Sequence, residues 1–243
     1  MKQIKKIVAG VLCCLLVFLT TEPIVAASSD TITNNGKVTI ASNSSKTDHW
    51  LKYKASKTGV VTISTSAKKC KVTLCDANKK ALTAKTAFGK SVADAKSYAF
   101  AVKKGTTYYL KLNVASKSTF TCKFTALSSS GGNDERSAET LSLNQTKKGL
   151  SLNSEMCKYY RIDVDVMNNQ PITFSVKTPK SETCGFTFDL LNAADIPLMA
   201  DVHLNGTQSY TFSNTLAPGT YYIVVKSASK KTTGQYTISY GTK

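Results

Sequence analysis

Apolar and polar residues alternate along most of this chain. Tyr98, Phe100 and Val102, then Phe120, Cys122 and Phe124, then Tyr236, Ile238 and Tyr240 each stand at every second position, with Ala, Thr, Lys or Ser between them. A period of two is that of a β-strand with one face buried. The runs are short, rich in Thr, Val and Tyr, and bounded by Gly, Asn, Asp and Ser, which predicts strands joined by tight turns. After residue 27 no apolar stripe follows the helical spacing. The predicted fold is therefore all-β, built as antiparallel β-sandwiches.

The pattern also repeats. Gly105-Thr106-Thr107-Tyr108-Tyr109-Leu110-Lys111-Leu112 returns, one residue shorter, as Gly219-Thr220-Tyr221-Tyr222-Ile223-Val224-Val225. The strand before it returns as Tyr210-x-Phe212, and the strand after it as Tyr236 to Tyr240. Leu74-Cys75-Asp76-Ala77-Asn78 lines up with Leu190-Leu191-Asn192-Ala193-Ala194, and Trp50-Leu51-Lys52-Tyr53-Lys54 with Tyr159-Tyr160-Arg161-Ile162-Asp163. Such matches in one order are the mark of a duplicated module. The Ser128-Ser129-Ser130-Gly131-Gly132 stretch has the composition of a flexible linker. The expected organisation is a basic repeat over residues 28–127, a linker over 128–133 and a second repeat over 134–243. A repeat of roughly 100 residues can bury a workable core without disulfides or metals.

The aromatic opening strand, the Leu-x-Asp/Asn-Ala turn, and Pro218-Gly219-Thr220-Tyr221-Tyr222-Ile223-Val224-Val225 followed by Gly234-Gln235-Tyr236-Thr237-Ile238 resemble the bacterial pre-peptidase C-terminal domain family. That resemblance implies a jelly-roll-like β-sandwich, similar to the collagen-binding domains of secreted clostridial collagenases. The second repeat matches along most of its length, starting at Asn133-Asp134-Glu135 and Ala138. The first diverges, with Lys104-Gly105-Thr106-Thr107-Tyr108 in the later motif and no acidic start. Family members usually end a secreted hydrolase, whereas this chain contains none, and a fold does not by itself assign a function. Asp134, Glu135 and Glu139 read as an acidic linker. The alternative, which the resemblance implies, is calcium, because they cluster where related domains hold it and hard oxygen ligands suit that ion.

The N-terminus reads as a secretory signal over residues 1–27: Lys2, Lys5 and Lys6, the uncharged run from Ile7 to Leu19, then Val25-Ala26-Ala27. That run is too short to span a bilayer, and no later segment is long enough. Cys13 and Cys14 follow Leu12 and Cys13, where a lipid-anchor signal needs a small residue. The expectation is an extracellular protein, free or cell-wall associated, with no membrane insertion.

Charge adds a functional clue. The formal net charge is +17. Residues 28–132 hold 18 basic and 4 acidic side chains, against 11 and 10 in the rest that follows. Solubility requires far less, so the first repeat is expected to meet a polyanion: an anionic polysaccharide or another matrix or cell-wall polymer. Export argues against nucleic acid. If Leu51, Tyr53, Cys70, Val72, Leu74, Leu110, Leu112, Phe120 and Phe124 face the core, strand parity turns Trp50, Lys52, Lys54, Lys69, Lys71, Lys111 and Lys123 to solvent. A Trp among lysines can stack on a sugar ring or a proline while the cations hold acidic groups. The other reading is that Trp50 covers the sandwich edge and the lysines keep edge strands from pairing with a neighbour.

After residue 27 there are five cysteines, Cys70, Cys75, Cys122, Cys157 and Cys184, an odd number. Cys70 and Cys122 stand at inward positions where the second repeat has Phe186 and Ile238, as small core hydrophobes do. A Cys70 to Cys122 disulfide is the alternative in an exported chain. Catalytic patterns are missing: His49 and His203 fall at unmatched repeat positions, and there is no metal-binding spacing, nucleophile elbow or phosphate loop. Asp163 and Asp165 share a strand face beside the Met167-Asn168-Asn169 turn and read as solvated. These features favour a secreted, non-catalytic binding protein without a cofactor, acting through the first repeat. An accessory subunit of a separately encoded secreted hydrolase is the alternative, and an unrecognised enzyme is the reading from another class.

Overall fold

The computed structural model describes residues 29–40, 48–91, 96–153 and 156–241. The predicted signal segment lies outside them. Among the described residues there are strands and no helix. The first half holds β1 (Ser29–Thr31), β2 (Lys37–Ile40), β3 (His49–Lys54), β4 (Gly59–Thr65), β5 (Cys70–Cys75), β6 (Thr86–Phe88), β7 (Ser97–Val102), β8 (Thr107–Val114) and β9 (Ser118–Ala126). The second holds β10 (Glu139–Thr140), β11 (Thr146–Leu152), β12 (Cys157–Val164), β13 (Ile172–Lys177), β14 (Phe186–Asn192), β15 (Pro197–Leu204), β16 (Thr207–Phe212), β17 (Gly219–Ser227) and β18 (Thr233–Tyr240).

In the first half a five-stranded sheet, β1-β3-β8-β5-β6, packs on a four-stranded sheet, β2-β9-β4-β7. In the second half β10-β12-β17-β14-β15 packs on β11-β18-β13-β16. The strand order is the same in both halves, down to the parallel edge pairs β1 with β3 and β10 with β12. The alternating residues fill the space between the sheets. Leu51, Tyr53, Val72 and Leu110 meet Ile63, Phe100 and Phe120 in one core. Ile162, Phe188 and Ile223 meet Phe174, Tyr236 and Ile238 in the other. Each such side chain contributes about 1.5–3 kcal/mol by leaving water. Gly149 lies opposite Tyr236 in the β11–β18 ladder, and a Cβ there would stand 2.1 Å from the Tyr236 ring. Its absence lets the Tyr236 hydroxyl reach that of Tyr160 at 2.7 Å inside the core.

The turn that recurs in the sequence is the same object in both halves. Asp76 Oδ1 accepts from the backbone N–H of Asn78 and of Lys80, both at 2.9 Å. Asn192 Oδ1 accepts from Ala194 at 2.9 Å and Ile196 at 3.0 Å. Lys79 (φ 63°) and Asp195 (φ 59°) then take the same left-handed position, which the side-chain bonds hold in place.

The halves touch along a seam. Val60 on β4 and Ala99 and Ala101 on β7 have solvent parity, yet all three are buried against Leu150, with Leu127 and Leu152 beside them. β7 is an edge strand, and the free N–H of Ala101 donates to Thr233 Oγ1 at 2.9 Å. A polar side chain thus closes an open sheet edge. The Ser-Gly stretch is not a free tether, contrary to its composition. Ser130 donates through N–H and hydroxyl to the Lys148 carbonyl, at 3.1 and 2.7 Å, and Gly132 bridges Tyr159.

The five cysteines after residue 27 are free. Cys70 and Cys122 project into one core from opposite sheets, as the small hydrophobes expected there, and form no disulfide. Burial pushes their thiols up to about 12 and about 11, and that of Cys184 to about 12.

Candidate ligand-binding face

The outer face of β1-β3-β8-β5-β6 gathers most of the residues singled out in the sequence. The ladder sets Trp50 beside Lys111 and Lys111 beside Thr73, Lys52 beside Tyr109, and Asn113 beside Lys71. Lys54 follows on β3, and Lys69 precedes β5 with the parity of Lys71; both are exposed. Lys123 is exposed too, but on β9 in the other sheet, so it does not share a face with Trp50. Among the described residues no carboxylate lies within ion-pair distance of Lys52, Lys54, Lys69, Lys71 or Lys123.

Trp50 is half-buried rather than freely exposed. Tyr109 meets it edge-on, with ring centroids 6.2 Å apart and planes at 87°. Lys79 reaches back from the Asp76 turn and sets its Nζ 4.8 Å from the Trp50 centroid and 5.5 Å from that of Tyr109. Lys111 Nζ lies 5.7 Å from the Trp50 centroid and 2.9 Å from Asp48 Oδ2. Two ammonium groups therefore sit against the negative face of the indole. Tyr109 and Lys79 are the residues that sequence reasoning missed. The parity of Lys111 reaches Tyr109, whereas Lys79 is found only through the turn that folds it back. At one edge of the face, His49 Nε2 pairs with Asp30 Oδ2 at 2.7 Å, tying β3 to β1.

The equivalent face of the second half is balanced. Arg161 Nε donates to Asp163 at 2.9 Å and Thr220 Oγ1 donates to the same oxygen at 3.0 Å. Those bonds, chiefly the one from Arg161, hold the Asp163 carboxyl below the usual range. Asp163 and Asp165 are exposed, as a solvated pair is. Where the first half has Lys79, the second has Asp195, a carboxylate beside Glu135 that raises the Glu135 pKa.

The three carboxylates of the calcium alternative do not converge. Asp134 accepts from Ser137 N–H at 2.8 Å and from its hydroxyl at 2.6 Å. Glu139 accepts from Gly131 N–H at 2.7 Å and from Lys147 Nζ, and Glu135 turns to Asp195. Asp134 and Glu139 are thus taken up by separate donors and Glu135 faces another carboxylate, so the trio is not gathered around one point. Among the described residues no three His, Cys, Asp or Glu side chains are arranged as a metal set.

No protein-family profile matches this chain. No curated protein matches it. Among solved structures, the pre-peptidase C-terminal domain of the collagenase from Bacillus anthracis is 19% identical over 48% of this chain and 99% of that one, with a TM-score of 0.32. Tripeptidyl peptidase 2 is 11% identical over 85% of this chain and 22% of its own, at 0.26. The extracellular region of zebrafish Gpr126/Adgrg6 is 11% identical over 86% and 36%, at 0.25. The chain thus spans about one fifth and one third of the last two proteins. The fold assignment rests on the strand order and packing described above.

Proposed function

We propose that this chain is an exported, non-catalytic binding protein whose first half engages an anionic extracellular polymer. The observation that carries the reading is the face around Trp50: an aromatic pair surrounded by ammonium groups from β3, β5, β8 and the Asp76 turn, with Asp48 as the carboxylate paired to one of them. Every basic side chain of residues 28–132 is a lysine, a hydrated point charge on a flexible stem that tolerates varied anion spacing. Such a surface attracts a polyanion at long range and grips acidic groups at short range, while the parts of the Trp50 and Tyr109 rings left uncovered offer apolar surface to a sugar. Repeats over residues 28–127 and 134–243 are the units of this reading.

The test is a full-length variant with Lys52, Lys54, Lys71, Lys79 and Lys111 all changed to Gln. It is expected to keep its circular dichroism, to melt within a few degrees of the parent and to lose most of its retention on immobilised heparin at physiological salt. A variant with Arg136, Lys158, Lys180, Lys230 and Lys231 changed to Gln removes the same charge from the second half, outside any sheet face invoked here, and is expected to stay bound. If both variants lose binding equally, net charge rather than this face is responsible.

A further inference from the structure

The outer face of β11-β18-β13-β16 forms a groove of about 730 Å³ in the second half. Lys148, Thr237 and Ser175 stand side by side across three strands, and Gln235 and Lys177 stand together in the next row. Both rows project outward, since Val176 between them faces the core. One side of the groove is shut by the seam, where Leu150 shares the row of Gln235 and is buried by the first half. The opposite side is open along β16, whose residues from Thr207 to Thr211 are exposed.

The chemistry of the lining is uniform. Its outward side chains are hydroxyls, one amide and two ammonium groups. Gln235 Nε2 donates to Thr237 Oγ1 at 3.2 Å, which leaves the Gln235 carbonyl to accept from a ligand. On β16, Ser209 continues the row of Ser175 and Thr207 that of Lys177, so hydroxyls line the open side. Among the described residues neither Lys148 nor Lys177 has a carboxylate within ion-pair distance. Two strands and two residues separate these lysines, so their Cα atoms lie about 12 Å apart. That spacing takes two acidic groups on successive units of a chain rather than one group held between both.

A groove of this kind rejects an apolar segment, because nothing on its floor buries one. It also lacks a ring on which a base could stack. A hydroxyl-rich ligand instead replaces water at each donor and acceptor, and its acid groups make the stronger charge-assisted bonds. We propose that this groove is a second binding site, for an acidic oligosaccharide. The site is independent of the face around Trp50 and does not need that reading to hold.

The experiment uses full-length protein in which Lys52, Lys54, Lys71, Lys79 and Lys111 are already Gln, so that the Trp50 face no longer contributes. Hyaluronan oligosaccharide is titrated and followed by amide chemical shifts. Saturable shifts at Ser175, Ser209, Gln235 and Thr237 are expected. Adding Lys148→Gln and Lys177→Gln is expected to weaken binding at least about tenfold, the scale of losing two charge-assisted contacts. Poly-glutamate supplies the same charge without hydroxyls and is expected to bind at least about tenfold more weakly than the saccharide. No shifts at these amides would overturn the site. Shifts that ignore the two lysines would do the same, and equal binding of poly-glutamate would overturn the saccharide. Binding of the unmodified protein to heparin would survive any of those results, which separates this proposal from the one above.

Discussion

Lys79 holds its ammonium 4.8 Å from the centre of the Trp50 ring, and the turn position it occupies carries Asp195 in the second half. One turn, with the same side-chain cap, thus delivers a cation to an aromatic pair in one half and a carboxylate to Glu135 in the other. The cation also screens the indole. Lys79→Ala is expected to raise acrylamide quenching of the single Trp while costing no more than about 1 kcal/mol of stability, the scale of an exposed cation–π contact. Unchanged quenching would mean that Lys79 does not cover the ring.

The seam makes a separate prediction. Leu150 is 5% exposed and packs on Ala99 and Ala101, while each half keeps its own core. Leu150→Asp places a charge against those alanines and is expected to cost roughly 2–4 kcal/mol. The loss falls on the contact between the halves, so calorimetry is expected to show two transitions where the parent shows more cooperative melting. A single transition lowered as a unit would mean that the halves do not fold separately.

The Glu139 carboxyl is held below the usual range, first by Lys147 and then by Gly131 N–H. Its pKa is lower in the folded state than in the unfolded one. The interaction therefore stabilises above the unfolded pKa and is lost as pH falls through the folded one. Glu139→Gln is expected to cost under about 1 kcal/mol at pH 7, since the pair is partly exposed, and nothing measurable at about pH 2. Melting temperatures of the two proteins across that range decide it; a difference that persists at the acid end contradicts the assignment.

Thiol access gives a fourth check. Cys70, Cys75, Cys122 and Cys184 are buried and burial raises their pKa values, whereas Cys157 is partly exposed. Reactivity follows the exposed thiolate. Protein beginning at Ser28 is expected to take up one maleimide per chain when folded and five in denaturant, and Cys157→Ser is expected to remove the first. Labelling of a second thiol before unfolding would contradict this burial pattern.

The strands were legible because alternation at positions such as Phe120 to Phe124 and Tyr236 to Tyr240 is a direct imprint of burial on one side. The Asp76 and Asn192 turns were legible because a side-chain oxygen at that position does the same work in both. β1, β6 and β10 are too short to show a period, and irregularities around Leu190 break the β14–β15 register. Parity tells inside from outside but not which of two sheets a residue belongs to, which is why Lys123 was grouped with Trp50. It also stops at strand ends, so Lys79 went unseen. The seam did leave a signal: Val60, Ala99 and Ala101 are apolar on the solvent side of their strands. Asp134, Glu135 and Glu139 stay apart for a different reason, because neighbours in sequence turn to different groups, Asp134 to Ser137 and Glu139 to Lys147.

The most direct measurement of polymer binding by the Trp50 face is the affinity of the full-length protein for heparin across a salt series. Each ammonium that neutralises an anionic group releases a counterion, so affinity is expected to fall linearly in log–log form, with a slope that shrinks by on the order of one for each contacting lysine removed. Lys52→Gln, Lys54→Gln, Lys71→Gln and Lys111→Gln, introduced one after another, are expected to flatten the slope stepwise, whereas Lys123→Gln on the opposite sheet leaves it unchanged. Equal flattening by Lys123→Gln, or affinity indifferent to salt, would contradict binding through this face.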